Sequence, residues 1–235
     1  MAEHELKLGE TNGNGKINIH ANDEAAFISS CENGHIEIVR LLIQLCKTRG
    51  HGYINIHANN EAAFRLSCEN GHIEIACLLI QLGETGGDGK INIHANYEAA
   101  FLSSCENGHI KIARLLIQLG ETGGYGGINI HANNEAAFRS SCKNGHIEIV
   151  RLLIVLGETG GGKINIHAKD EHAFLVSCEN GHIEIARLLI QLGGTGGYGG
   201  INIHANNEAA LRLSCKNGHI EIVRWLVQLN APGLW

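Results

Sequence analysis

The chain has 235 residues, 44% of them hydrophobic, and a formal net charge of −6. That is apolar enough for a continuous core, and without a basic block it gives neither nucleic acid nor an anionic membrane an electrostatic footing. Apolar runs such as Leu41-Leu42-Ile43 are far too short to span a bilayer, and residues 1–16 hold no apolar stretch of the kind a secretory leader needs.

The phrase Ile-Asn-Ile-His-Ala begins at Ile17, Ile54, Ile91, Ile128, Ile164 and Ile201, in steps of 37, 37, 37, 36 and 37 residues. A fixed period of this size means stacked supersecondary units, each needing a neighbour to bury its apolar face. In chain order, residues 1–16 match the end of a second helix and its link. Six repeats follow at 17–53, 54–90, 91–127, 128–163, 164–200 and 201–235, the last with a C-terminal tail.

The fourth copy shows the plan. Ile128-Asn-Ile-His-Ala alternates apolar and polar residues, which predicts a short extended segment. Asn133-Asn134 turns the chain, since Asn tolerates left-handed geometry. Glu135 is expected to open a first helix, its carboxylate at the positive end of the dipole. Ala136, Ala137, Phe138, Ser141 and Cys142 give that helix a small-residue face with one aromatic plug, and Asn144-Gly145 ends it. His146 leads into a second helix, on which Ile147, Val150, Leu153 and Ile154 form the expected buried stripe. Gly157 is expected to terminate it, and a Gly-rich link follows.

Six of the eight cysteines recur once per copy: Cys31, Cys68, Cys105, Cys142, Cys178 and Cys215. Equivalent positions in a stack sit roughly 10 Å apart, too far for a disulfide, so a reduced, intracellular and cytoplasmic protein is expected. Cys46 and Cys77 replace a Gly and an Arg of other copies. Each copy also carries Cys-x-x-x-His, first at Cys31 and His35. The Gly between them puts the His beyond the helix that carries the Cys, so no tetrahedral metal site is expected. A second ladder, His20, His57, His94, His131, His167 and His204, lies in the extended segments. Stacked imidazoles could make the protein acid-sensitive; the simpler reading, preferred here, keeps each neutral and bonded to its neighbour's backbone.

The Gly-rich links are not phosphate loops: Gly86-Gly87-Asp88-Gly89-Lys90 precedes an extended segment instead of a helix. Catalysis needs unlike groups gathered at one unusual place, whereas Cys, His and Glu recur here in every copy. His172 is a non-repeated His on a first helix, where the other five copies have Ala. No enzyme activity and no cofactor is expected.

Helix, Asn-Gly-His turn, second helix with a Leu-Leu pair and extended finger together resemble ankyrin repeats. The residues that carry the resemblance are Cys31-Glu-Asn-Gly-His-Ile-Glu-Ile-Val-Arg-Leu-Leu-Ile43 and its five counterparts, over about residues 6–230. The Thr-Pro-Leu-His signature is replaced by segments such as Ala62-Ala63-Phe64-Arg65, and links such as Thr122-Gly-Gly-Tyr-Gly-Gly127 are longer than the family's. The implied fold is mainly all-α, an ankyrin-type α-solenoid of six stacked helix-turn-helix repeats with short fingers.

The resemblance implies a non-enzymatic scaffold for protein–protein contact. Its partner surface would be the finger tips and the exposed side of the first helices. Carried over, that surface comprises Asn22, Asp23, Asn59, Asn60, Asn96, Tyr97, Asn133, Asn134, Lys169, Asp170, Asn206 and Asn207, joined by Glu32, Glu69, Glu106, Lys143, Glu179 and Lys216. Two partner classes stay open. One is a heterologous, for example host, protein held by an adaptor. The other is a second copy stacked end to end into a homo-oligomer or filament, through Leu6 and Leu8 at one end and Trp225, Leu234 and Trp235 at the other.

Overall fold

The structure, a computed structural model, describes residues 17–49, 52–86 and 89–229, and it divides after Ala95 into two compact units. Among the described residues there are twelve α-helices and no strand. The first unit holds α1 (Ala21–Glu32), α2 (Ile36–Arg49), α3 (Ala58–Glu69) and α4 (Ile73–Thr85). Here α1 lies on α3, and each is backed by its own second helix. The second unit carries α5 (Ala95–Glu106), which begins at the boundary, and α6 (Ile110–Thr122), α7 (Ala132–Asn144) and α8 (Ile147–Leu156). It continues with α9 (Ala168–Glu179), α10 (Ile183–Thr195), α11 (Ala205–Lys216) and α12 (Ile220–Leu229). Within it α7, α9 and α11 pack side by side, and α8 touches α6 and α10.

The first helices pack closely because their inner faces are small. Phe27, Phe64, Phe101, Phe138 and Phe174 are fully buried plugs, each followed four residues later by a fully buried Cys. Between plug and thiol, the Ser141 hydroxyl donates to Ala137 O of its own helix and, at 3.1 Å, to Cys105 O on α5. Ser214 does the same toward Cys178 O on α9. Such cross-helix bonds require the approach that only a small side chain permits. On α8 the buried stripe is Ile149, Val150, Leu153 and Ile154. Ile147, expected in it, is half-buried at the first turn, and Ile149 takes its place.

The link glycine does not stop the second helix. Helices α4, α6 and α10 run through Gly83, Gly120 and Gly193 to the following Thr, and after α8 a π-helical turn covers Gly157–Gly161. These glycines are buried. A Cβ on Gly120 would lie 2.7 Å from Gly126 O and 3.1 Å from Ile128 N, and one on Gly157 would lie 2.7 Å from Gly162 O. The residue is Gly because the next finger's backbone crosses the helix there, not because the helix ends. The links themselves also pack on one another: Tyr198 donates its hydroxyl to Glu158 at 3.0 Å, and Lys163 Nζ lies 4.9 Å above the Tyr198 ring.

Candidate interaction surface

Each finger ends in three consecutive residues wound left-handed. Asn133, Asn134 and Glu135 have φ of 54, 56 and 60°, and the same holds at every copy from Asn22-Asp23-Glu24 to Asn206-Asn207-Glu208. Asn pays the smallest penalty there after Gly, which explains the Asn-Asn pairs. The Asn of Ile-Asn-Ile fixes the turn that precedes them: Asn129 Oδ1 accepts from His131 N at 3.1 Å, an arrangement seen in all six copies. In copies two, four and six an arginine closes the tip. Arg139 donates from Nε to Asn134 O at 2.8 Å and from Nη2 to Asn133 O at 3.1 Å, and Arg65 and Arg212 do likewise.

Glu135 therefore does not open a right-handed helix. Its left-handed backbone turns the carboxylate back under the finger. There Oε1 accepts from His131 Nδ1 at 2.8 Å and from the backbone N–H of Asn165, in the next finger, at 3.0 Å. The bond to the next finger recurs at Glu24, Glu61, Glu98 and Glu171, at 3.0–3.2 Å. The sequence pattern His-x-x-x-Glu was visible, but its direction was not, because it depends on the three left-handed residues. Oε2 of Glu24, Glu61, Glu135 and Glu171 is buried with no hydrogen-bond partner, so each of these carboxylates depends on the pairing made by its other oxygen.

Two of the finger histidines, His131 and His167, differ from the neutral expectation. His131 Nε2 lies 2.7 Å from Gly161 O, and His167 Nε2 lies 2.9 Å from Tyr198 O, while Nδ1 of each meets its glutamate. Carboxylate and carbonyl oxygens only accept, so two acceptors on one ring favour the imidazolium form, in which both nitrogens donate. Burial pulls both groups down, but the bonds to glutamate and carbonyl and the glutamate charge outweigh it, leaving both above the ordinary imidazole range. The turn histidines have another task. His182 Nε2 bonds Lys143 O of the preceding copy at 3.0 Å. Its ring fills the space over Gly145, where a Cβ would sit 2.6 Å from it; at φ 80° Gly145 also caps α7.

All the finger residues inferred from sequence are exposed: Asn22, Asp23, Asn59, Asn60, Asn96, Tyr97, Asn133, Asn134, Lys169, Asp170, Asn206 and Asn207. Lys143 and Lys216 are exposed at the ends of α7 and α11. Sequence reasoning missed the tip-closing arginines; their alternation with Ile28, Leu102 and Leu175 at the same position was the available signal. Trp225 is half-buried. Its ring stands 6.4 Å from that of Phe174 and below Arg187, so it packs within its own unit instead of projecting from an open end. Leu6, Leu8, Leu234 and Trp235 lie outside the described residues.

Burial pushes the thiols of Cys31, Cys105 and Cys178 up to about 12, leaving them packing groups and not nucleophiles. Among the described residues no three His, Cys, Asp or Glu side chains converge as a metal site would require, and no helix is long and apolar enough to cross a membrane.

Helix pairs joined by a Gly-His turn, stacked on small faces and carrying projecting fingers, define an α-solenoid interaction module. The family described as ankyrin repeats (3 copies) matches residues 5–88 and 156–232. The chain belongs to the ankyrin repeat family and is a protein–protein interaction scaffold. Its structure is similar to the human ASB11 ankyrin repeat domain, with a TM-score of 0.55 at 16% identity over 88% of this chain and 84% of that one. An ankyrin repeat family protein from Legionella pneumophila gives a TM-score of 0.43 at 20% identity, over 87% of this chain and 71% of that one. No curated protein matches the chain.

Proposed function

We propose that the chain is a non-enzymatic, cytoplasmic adaptor that holds a protein partner, rather than nucleic acid or membrane, on its finger tips and first-helix faces. The observation that carries this reading is the combination of exposure and rigidity at the tips. Their side chains are exposed, while an Asx turn, a buried glutamate and, in three copies, an arginine fix the backbone beneath them. Such a surface loses little entropy on binding. The partition into six repeats at the boundaries given above is part of the same reading. Crosslinking in cells, followed by mass spectrometry, tests it with Tyr97→Gly, Asn133→Gly and Lys169→Gly, since Gly keeps the left-handed backbone. Loss of the captured proteins is expected; an unchanged set would sink the proposal.

A second reading, end-to-end self-assembly, is favoured by the open face of copy six. Ile220 and Val227 are 65% and 57% exposed. Above Gly218 nothing lies within 4 Å, where Gly34, Gly108, Gly145 and Gly181 each seat the next copy's histidine. Among the described residues nothing fills that seat, and a repeat from a second chain could. Light scattering across a wide concentration range should then show growth that Ile220→Glu suppresses. A constant monomer mass would retire this reading.

A further inference from the structure

We infer that the finger and first-helix surface of copies four to six takes an acidic segment of a protein partner. The inference rests on the adaptor reading and gives its partner a chemistry. Along this surface stand Arg139, Lys143, Lys169, Arg212 and Lys216, opposed by Asp170, Glu179 and Glu208, the last paired with His204. The surrounding chain is net acidic. The cations share one side of the unit because α7, α9 and α11 pack side by side. The equivalent positions of copies one and two reverse the sign: Asp23, Glu32 and Glu69 stand there against Arg65. Like positions in one repeat thus carry opposite charge in different parts of the chain.

Two properties make these cations a binding set instead of an ordinary solvated face. Lys143, Lys169 and Lys216 are exposed, and among the described residues none of them forms an ion pair, so their charge faces solvent. Arg139 and Arg212 are held in one orientation by two bonds each to their own finger carbonyls. Those bonds use Nε and Nη2, which leaves Nη1 for a carboxylate and removes much of the entropy cost of ordering the side chain. His172 reports the local field. It sits half-buried on α9 where the other five copies have Ala25, Ala62, Ala99, Ala136 and Ala209. Burial first, then the charges of Arg139, Lys169 and Lys143, hold it below the ordinary imidazole range, against Glu179. A neutral imidazole amid cations adds a hydrogen-bonding group without further repulsion.

A polypeptide carboxylate suits this surface better than a nucleic acid does. The cations form a short local set on a net-negative protein, whereas a phosphate backbone would bring its charge against the acidic remainder. The test uses the full chain and a fluorescein-labelled peptide of alternating glutamate and leucine, with its glutamine counterpart and an oligothymidylate as probes. Anisotropy should show binding of the glutamate peptide alone, weakening with salt. The combined variant Lys143→Glu, Lys169→Glu and Lys216→Glu should weaken it by about tenfold or more. Reversal on the second helices of the other unit, Glu37→Lys with Glu74→Lys, exposed and outside the finger and first-helix surface, should leave it unweakened, and unchanged circular dichroism should accompany both variants. Equal binding by the triple variant or by the glutamine peptide, or preferential binding of the oligothymidylate, would overturn the inference. If the peptide fails while finger-dependent crosslinking persists, only the acidic chemistry is wrong; if both fail, the adaptor reading falls too.

Discussion

Copies five and six are nearly the same sentence in two different situations. Phe174, Cys178 and Glu171 of copy five are buried, whereas Leu211 of copy six is half-buried and Cys215 and Glu208 are exposed. The seat above Gly181 holds the His219 ring, while that above Gly218 is open. The Glu171 carboxylate clasps Asn202 N at 3.1 Å; among the described residues the Glu208 carboxylate bonds only its own His204. No described copy stacks beyond copy six. A repeat's residues therefore supply half of each interface, and the energy appears only when the neighbour is present.

The largest effects should fall where that neighbour is present. Phe174→Ala empties a fully enclosed site and should cost ~3–5 kcal/mol, while Leu211→Ala, at a half-buried site able to collapse, should cost roughly 1–2 kcal/mol. Urea unfolding followed by circular dichroism measures both; equal midpoints would mean that copy six is as enclosed as copy five. The carboxylates should separate next. Glu171→Ala leaves Asn202 N and the His167 ring without their shared acceptor and should cost ~1.5–3 kcal/mol. Glu208→Ala removes one exposed pair and should cost about 0.5 kcal/mol or less. Amide exchange at Asn202 checks the first locally: its protection should fall in Glu171→Ala and stay unchanged in Glu208→Ala.

Much of this was legible in the sequence because a period exposes its own logic. The helix pairs, the Phe plug, the Cys face and the Gly145 cap follow from local spacing. What was not legible depends on non-local approach. Gly157 reads as a helix stop until the finger crossing it is seen, and Glu135 reads as a dipole-stabilising first-turn residue until three left-handed residues turn it away. His131 and His167 read as neutral because nothing in one copy shows that both ring nitrogens will meet acceptors. The site followed the same rule: exposed tip residues could be placed from the resemblance, but the arginines that close the tips bond backbone carbonyls, which a sequence does not display.

The imidazolium reading also fixes the sign of a pH effect. His167 is raised in the folded state, so its contribution is fully present below the unfolded value of about 6.5 and is lost as pH rises through the folded value. The sensitivity at this group is thus to alkali, the reverse of the acid sensitivity that stacked histidines suggest. Stability measured upward from about pH 6 should decline, and His167→Gln should flatten the decline. NMR titration of the ring compares the two regions directly: the His167 resonances should shift at a higher pH than those of a denatured chain. A shift at or below the denatured value would show that the ring is neutral.

The smallest effect concerns the finger tips, where copy five has Lys169-Asp170 and copy six Asn206-Asn207 at the same left-handed angles. Lys169 sits at φ 56° and Asn206 at φ 53°, yet an ordinary side chain there costs roughly 1–2 kcal/mol and Asn less. Lys169→Asn should therefore stabilise the protein by about 0.5 kcal/mol, and Asn206→Lys should destabilise it by a similar amount. The two changes exchange tips between copies without touching a buried contact, so paired urea midpoints isolate the backbone preference. Lys169→Asn should also weaken the glutamate peptide slightly, since it removes one of the unpaired cations. Among the described residues Lys169 gains no ion pair that would offset this backbone cost.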